Sequence, residues 1–259
     1  MGWLGQERHE REFAAETDRL AVLASGLDPG RPVPTCPEWT VRDLVTHVGR
    51  GHRTATTIVR DRLGSVPGLS VPGFNTDDAP EDPTAWPEWL TTGASALAGA
   101  IGDVGAGTEV FTWQRDRTAG FWLRRMLHDE LIHRFDVELT VGEAGAVAGD
   151  LAAEGVSDLL ETALTLSRYP QNPTPFVDLA GAGERLRFAA VDHPAVWIVE
   201  RTPDGVTWRD GDGDAAVSVT APARELLLLL NRRIGADHDG IGVTGDRGLL
   251  DHWLEHTRF

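Results

Sequence analysis

"MLHDELIHRFDVEL", residues 126–139, places two histidines and four acids in a segment that otherwise reads as an apolar-faced helix. The pattern predicts a helix over 118–141, stopped by Gly142. Asp129 and His133 are four residues apart. Four residues rotate a helix by about 400°, so the two side chains lie roughly 40° apart on one face. Asp136, seven after Asp129, continues that stripe. A carboxylate and an imidazole turned into a helical bundle can share one divalent ion, given a third ligand from another helix. His47 is the natural third ligand, because it stands beside the apolar stripe Val41, Leu44, Val45 and Val48. Two imidazoles and one carboxylate on one side of an ion leave positions for water or substrate, as catalytic sites do. Spacing alone does not separate this reading from an acid-rich solvated face, which is the commoner case. His128, Glu130 and Glu138 point in other directions and read as surface residues.

Outward from this helix, the first half of the chain reads as a four-helix bundle with no strand. Residues 5–26 form an amphipathic helix, ended by "GLDPGRPVP". Thr40 caps the second helix, and Asp43 sits where a capping-box acid reaches back. Residues 64–87, rich in Gly and Pro, read as a long loop, the place where substrate choice would reside. Residues 86–101 give the third helix. After "GEAGAVAGD" the pattern changes. Asp150 can cap a helix over about 151–168. "ERLRFAA", "AVWIVER", "GVTWRDG" and "AAVSVTA" are short strands bounded by Gly, Asp and Pro. "PARELLLLLNRRI" is a helix, "GIGVTG" a strand and "DRGLLDHWLEHTRF" a closing helix. The expected domains are therefore a helical bundle over 1–148 and a small α+β domain over 149–259.

Charge excludes some partners. The chain has 259 residues with 40 acids against 24 Lys and Arg, a formal charge of −16. An excess of that sign opposes nucleic acid, which needs a basic face to displace counterions, and opposes anionic lipid. Arg124–Arg125 and Arg232–Arg233 are the paired cations left as candidates for a local basic patch. The single cysteine, Cys36, cannot form an internal disulfide, which fits a reducing cytoplasm. No apolar run approaches the roughly 20 residues of a membrane span, and the charged opening residues exclude a signal peptide.

"TCPEWTVRDLVTHVGRGH" (35–52), followed about 80 residues later by "RRMLHDELIHRFDVEL" (124–139), resembles the N-terminal domain of the mycothiol-dependent maleylpyruvate isomerase family, within the DinB-like superfamily. "PARELLLLLNRRIG" and "GIGVTGDRGLLDHWLEHTRF" resemble that family's C-terminal domain. The resemblance implies a DinB-like four-helix bundle holding a divalent metal, usually zinc, on His47, Asp129 and His133, with Asp129 standing where members usually carry Glu. It implies mycothiol, the thiol of actinobacteria, as second cofactor. A free thiol has a pKa near 8.5 and is mostly protonated at neutral pH, and a metal removes that proton. The thiolate would add to an electrophilic small molecule, then leave for isomerisation or stay as an S-conjugate. The resemblance further implicates a second-domain arginine, one of Arg232, Arg233 and Arg247. Arg232 and Arg233 have the alternative of neutralising a helix C-terminus.

The remaining side chains have structural readings. Asp43 could orient His47, although capping already explains it, and Asp136 could position His133. Arg125 is set to pair with Asp129. Cys36 fills a loop, His52 is a rim residue, and Trp39 and Trp122 belong to the core. The expected function is a metal- and mycothiol-dependent isomerase or S-transferase, monomeric or homodimeric. The alternatives are a biosynthetic lyase or hydrolase that uses the metal without mycothiol, and a non-catalytic small-molecule-binding module.

Overall fold

The computed structural model describes residues 3–65, 77–142, 144–168 and 175–257. The stretch 66–76 of the expected substrate loop lies outside them. The chain divides into one compact unit of Leu4–Gly145 and another of Ala146–Phe259 with Met1–Trp3.

The first unit holds helices α1 (Gln6–Ser25), α2 (Val41–Arg60), α3 (Trp86–Val104) and α4 (Ala119–Leu139). It also contains a hairpin, β1 (Pro32–Val33) paired antiparallel with β2 (Cys36–Thr40). The expectation of no strand is corrected here. Pro32, Pro34 and Pro37 disguise the segment, and pairing runs only from Pro32 opposite Thr40 to Val33 opposite Cys36.

The hairpin matters because it fastens the start of α2. The Thr40 hydroxyl accepts from Asp43 N at 3.3 Å, and Asp43 Oδ2 accepts from Thr40 N at 2.9 Å. Val41 N donates to Arg31 O at 2.9 Å and Arg42 N to Pro29 O at 3.0 Å. The first amides of a helix lack internal acceptors, and here loop, cap and hairpin supply them. Val41, Leu44, Val45 and Val48 then form a buried stripe with Leu20, Trp86, Leu90 and Val137. Gly49 lets α3 approach: a Cβ there would stand 2.0 Å from the Trp89 ring.

α4 packs against α1, α2, α3 and β1 and is buried around most of its circumference, polar residues included.

The second unit carries α5 (Gly149–Leu166), β3 (Arg185–Ala190), β4 (Val196–Thr202), β5 (Gly205–Asp210), β6 (Val217–Ala221), α6 (Ala223–Leu230), β7 (Gly242–Gly245) and α7 (Arg247–His256). Its five-stranded sheet has the order β5-β4-β3-β6-β7, with only β3 and β6 parallel. Alternation sets the faces: Val217, Val219 and Ala221 are buried along β6. Indole donors tie the sheet to α5, Trp197 to Ser157 Oγ at 2.9 Å and Trp208 to Glu161 Oε2 at 3.0 Å.

Two helix ends differ from expectation. Asp150 lies inside the first turn of α5, with Ala148 at the cap position. α6 stops at Leu230 rather than running through Ile234. Arg233 N bonds Leu228 O and Arg232 N bonds Leu229 O, a Schellman closure with Arg232 at φ 63° in the left-handed region.

Candidate functional site

His47, Asp129 and His133 come together in the first unit, with donor atoms of all three within 4.8 Å of one another. His47 Nε2 lies 3.3 Å and His133 Nε2 3.9 Å from Asp129 Oδ2. The two imidazoles cross edge to face, with centroids 4.8 Å apart. Nitrogen and oxygen ligands at about 2.0–2.1 Å from a tetrahedral ion stand roughly 3.3 Å from each other. The His47–Asp129 spacing has that value, and the His133–Asp129 spacing of 3.9 Å is longer.

Two members of the trio are fixed from behind. Arg125 donates to Asp129 Oδ1 at 2.7 Å, the pairing expected one turn away. Asp129 Oδ2 is thereby left facing the imidazoles. Asp136 Oδ2 lies 2.9 Å from His133 Nδ1, so the carboxylate accepts from Nδ1–H and the Nε2 lone pair faces Asp129 and His47. Burial pushes the Asp129 carboxyl up. The His47 hydrogen bond and the charges of Arg125, His133 and His47 outweigh it and hold the group well below the usual carboxylate range.

The trio adjoins open space. A cleft of about 480 Å³ is lined by Glu38, Trp39, Asp43, Thr46, His47, Arg50, Gly51 and Thr54. Trp39 packs on both imidazoles, with centroids 4.8 Å from His47 and 5.6 Å from His133. It is half-buried, packing against the core cluster as expected and also walling the site. Sequence reading missed the walling role, since nothing in "CPEWT" marks the indole as different from a core tryptophan. It also missed Thr35 and Cys36, which reach Asp136 at 2.6 and 3.6 Å.

Several residues stand elsewhere than expected. Asp43 gives its carboxylate to Thr40 and lines the cleft without bonding His47. His52, His128 and Glu130, read as surface residues, are buried at 1%, 3% and 1% exposure. Glu138, read as solvent-facing, is half-buried: it accepts from Arg134 Nη1 at 2.5 Å and from Gly145 N at 2.6 Å. Trp122 lies in the core as expected. Arg124 pairs with Asp116 at 3.0 Å, so neither cation of the Arg124–Arg125 pair forms a basic patch.

In the second unit, Arg247 is shared by Asp237 and Asp251, each at 2.8 Å. Arg232 donates to the Leu254 and Glu255 carbonyls at 3.1 and 3.5 Å, covering the C-terminal end of α7. Arg233 donates to Asn231 O at 2.7 Å. Arg232 and Arg233 line a cleft of about 460 Å³ with Asp251 and Glu255.

A helical bundle presenting two imidazoles and a carboxylate beside a cleft, followed by an α+β unit, defines the class: a DinB-like fold with a candidate metal-ligand cluster. Comparison with known families narrows it. Residues 11–138 match the mycothiol maleylpyruvate isomerase N-terminal domain, and residues 150–252 match the MDMPI C-terminal domain. The chain belongs to the mycothiol-dependent maleylpyruvate isomerase family. Crystal structures of the mycothiol-dependent maleylpyruvate isomerase and of a histidine-to-alanine mutant of it share the fold. Each superposes with a TM-score of 0.62 at 15% identity, over 94% of this chain and 95% of that one. No curated protein sequence matches the chain. Among the described residues no helix is long and apolar enough to cross a membrane.

Proposed function

We propose that the chain is a mycothiol-dependent enzyme, an isomerase or thiol S-transferase acting on an electrophilic small molecule, with His47, Asp129 and His133 as ligands of a divalent cation. The observation that carries this reading is the convergence of two imidazoles from different helices on one carboxylate oxygen at the edge of a cleft. The donor set fits zinc, which takes imidazole nitrogen and carboxylate oxygen in sites that keep a position open. When bound, such a cation supplies a Lewis acid that holds a thiol as thiolate at neutral pH.

The chain's own residues supply the rest. Arg125 fixes Asp129 and Asp136 fixes His133, so two of the three ligand side chains are oriented before any ion arrives. Trp39 packs at a tilt against both imidazoles and lines the cleft beside them. The cleft borders His47 and has room for a small molecule or part of a thiol cofactor. The one cysteine, Cys36, cannot form an internal disulfide and suits a reducing cytoplasm.

Calorimetric titration of mycothiol into zinc-loaded protein tests the reading. Saturable binding that disappears in His47→Ala is the expected result. A wild-type protein that takes up zinc yet shows no heat with mycothiol would remove the thiol from the account.

A further inference from the structure

We propose that Thr35 and Cys36, at the turn of the β1–β2 hairpin, are positioning residues that act through Asp136 to set which nitrogen of His133 faces the candidate metal centre. The inference rests on the metal reading above and deepens it.

Asp136 is fully buried, and a buried carboxylate needs its lone pairs filled. Three groups donate to it. The Thr35 hydroxyl donates to Oδ1 at 2.6 Å, and His133 Nδ1–H donates to Oδ2 at 2.9 Å. The Cys36 thiol donates to Oδ2 at 3.6 Å, a normal reach for sulfur. With Oδ1 taken by the hydroxyl, Oδ2 is the oxygen left for the imidazole, and the carboxylate cannot rotate without losing Thr35. The imidazole hydrogen therefore sits on Nδ1, and the lone pair sits on Nε2, the nitrogen nearest Asp129.

Cys36, His133 and Asp136 are also close enough to hold a metal ion themselves. The same contacts have a second reading as hydrogen bonds. A carboxylate already accepting from a hydroxyl, a thiol and an imidazole is satisfied without a cation. The hairpin grips the same ring a second time through Trp39, 5.6 Å from its centroid.

The test uses the full chain with nitrogen-15 in its histidines. One readout is the His133 tautomer in metal-free protein, from long-range nitrogen–proton correlations. The other is the zinc dissociation constant by chelator competition. Wild type should show the Nδ1–H tautomer. Thr35→Val should populate the Nε2–H form and weaken zinc by about 10-fold, the lower end for loss of an outer-shell partner. Thr35→Ser should restore both, and Cys36→Ala should move both in the same direction by less. Should Thr35→Val not fold, Thr35→Ala takes its place.

An unchanged tautomer and affinity in Thr35→Val, or no rescue by serine, overturns the proposal. So does a second equivalent of zinc that is lost in Cys36→Ala, because the trio would then be a metal site in its own right. If wild type binds no zinc, the metal reading falls, and the tautomer alone decides whether the hairpin sets the ring.

Discussion

α4 presents two carboxylates to two histidines of α2, and the two pairs live in different surroundings. Asp129 meets His47 with side-chain exposures of 24% and 43%, beside a cleft and with His133 as third member. Glu130, the next residue, meets His52 with both side chains 1% exposed. His52 Nε2 lies 3.4 Å from Glu130 Oε2 but off the line of a good hydrogen bond, and its Nδ1 and Glu130 Oε1 find no hydrogen-bond partner among the described residues. Thr17 of α1 donates to Glu130 Oε2 at 2.8 Å, and Phe13 packs its ring on His52. Adjacent helix residues differ by about 100° in direction, which sends Asp129 toward the hairpin side and Glu130 into the bundle. The same two residue types thus make a candidate ligand pair in one place and a sealed internal contact in the other. What separates them is access and the number of converging donors, and neither is visible in residue identity.

The largest stability effect should come from the sealed pair. Glu130→Ala should lower unfolding free energy by about 2–4 kcal/mol, because it opens a cavity in the bundle and removes the acceptor of the Thr17 hydroxyl. Urea denaturation measures it, and zinc stoichiometry should stay unchanged. A joint His52→Leu, Glu130→Leu replacement sharpens the point. It should recover most of that loss, because apolar residues of similar volume replace a buried pair without leaving an orphan. At the open pair the balance reverses. Asp129→Asn should cost the metal-free protein less than Glu130→Ala does, about 1–2 kcal/mol at neutral pH, while zinc affinity falls beyond the roughly 10–100-fold seen for an outer partner. Equal effects of the two substitutions on zinc would erase the distinction.

Acid titration separates the pairs in a third way. The folded-state carboxyl of Asp129 is held below its unfolded value. Its contribution to the stability of the metal-free protein is therefore present above the usual carboxylate pKa and is lost as pH falls through the lower folded value. Asp129→Asn should flatten that acid limb of unfolding free energy against pH. The smallest change belongs to the frame both pairs share. Thr40→Ala removes the capping hydroxyl of α2 and should cost about 1 kcal/mol, read as a lower thermal midpoint with zinc affinity within a few-fold of wild type.

The helices were legible from the sequence because caps and apolar spacing agree, as in Thr40, Asp43 and the Val41–Val48 stripe. The strands of the second unit were legible from their alternation, as in β6. The hairpin was hidden because three prolines obscure a ribbon whose strands are two and five residues long. In the candidate site, the spacing of Asp129 and His133 on one face could be read in advance. The burial of Glu130 and His52 could not, since α4 is covered on most sides and helical periodicity carries no contrast when polar residues are buried too. Trp39, Thr35 and Cys36 were missed for a related reason. Their importance comes from the hairpin that carries them to Asp136 and His133, a long-range contact without a local signature.

The most direct measurement of the central claim is elemental analysis of untagged protein purified without added chelator, wild type beside His47→Ala. One divalent ion per wild-type chain, and its loss in the folded variant, is the predicted result. Wild-type protein that carries no ion and takes none up from zinc-containing buffer would contradict the account, as would a variant that retains the ion in full.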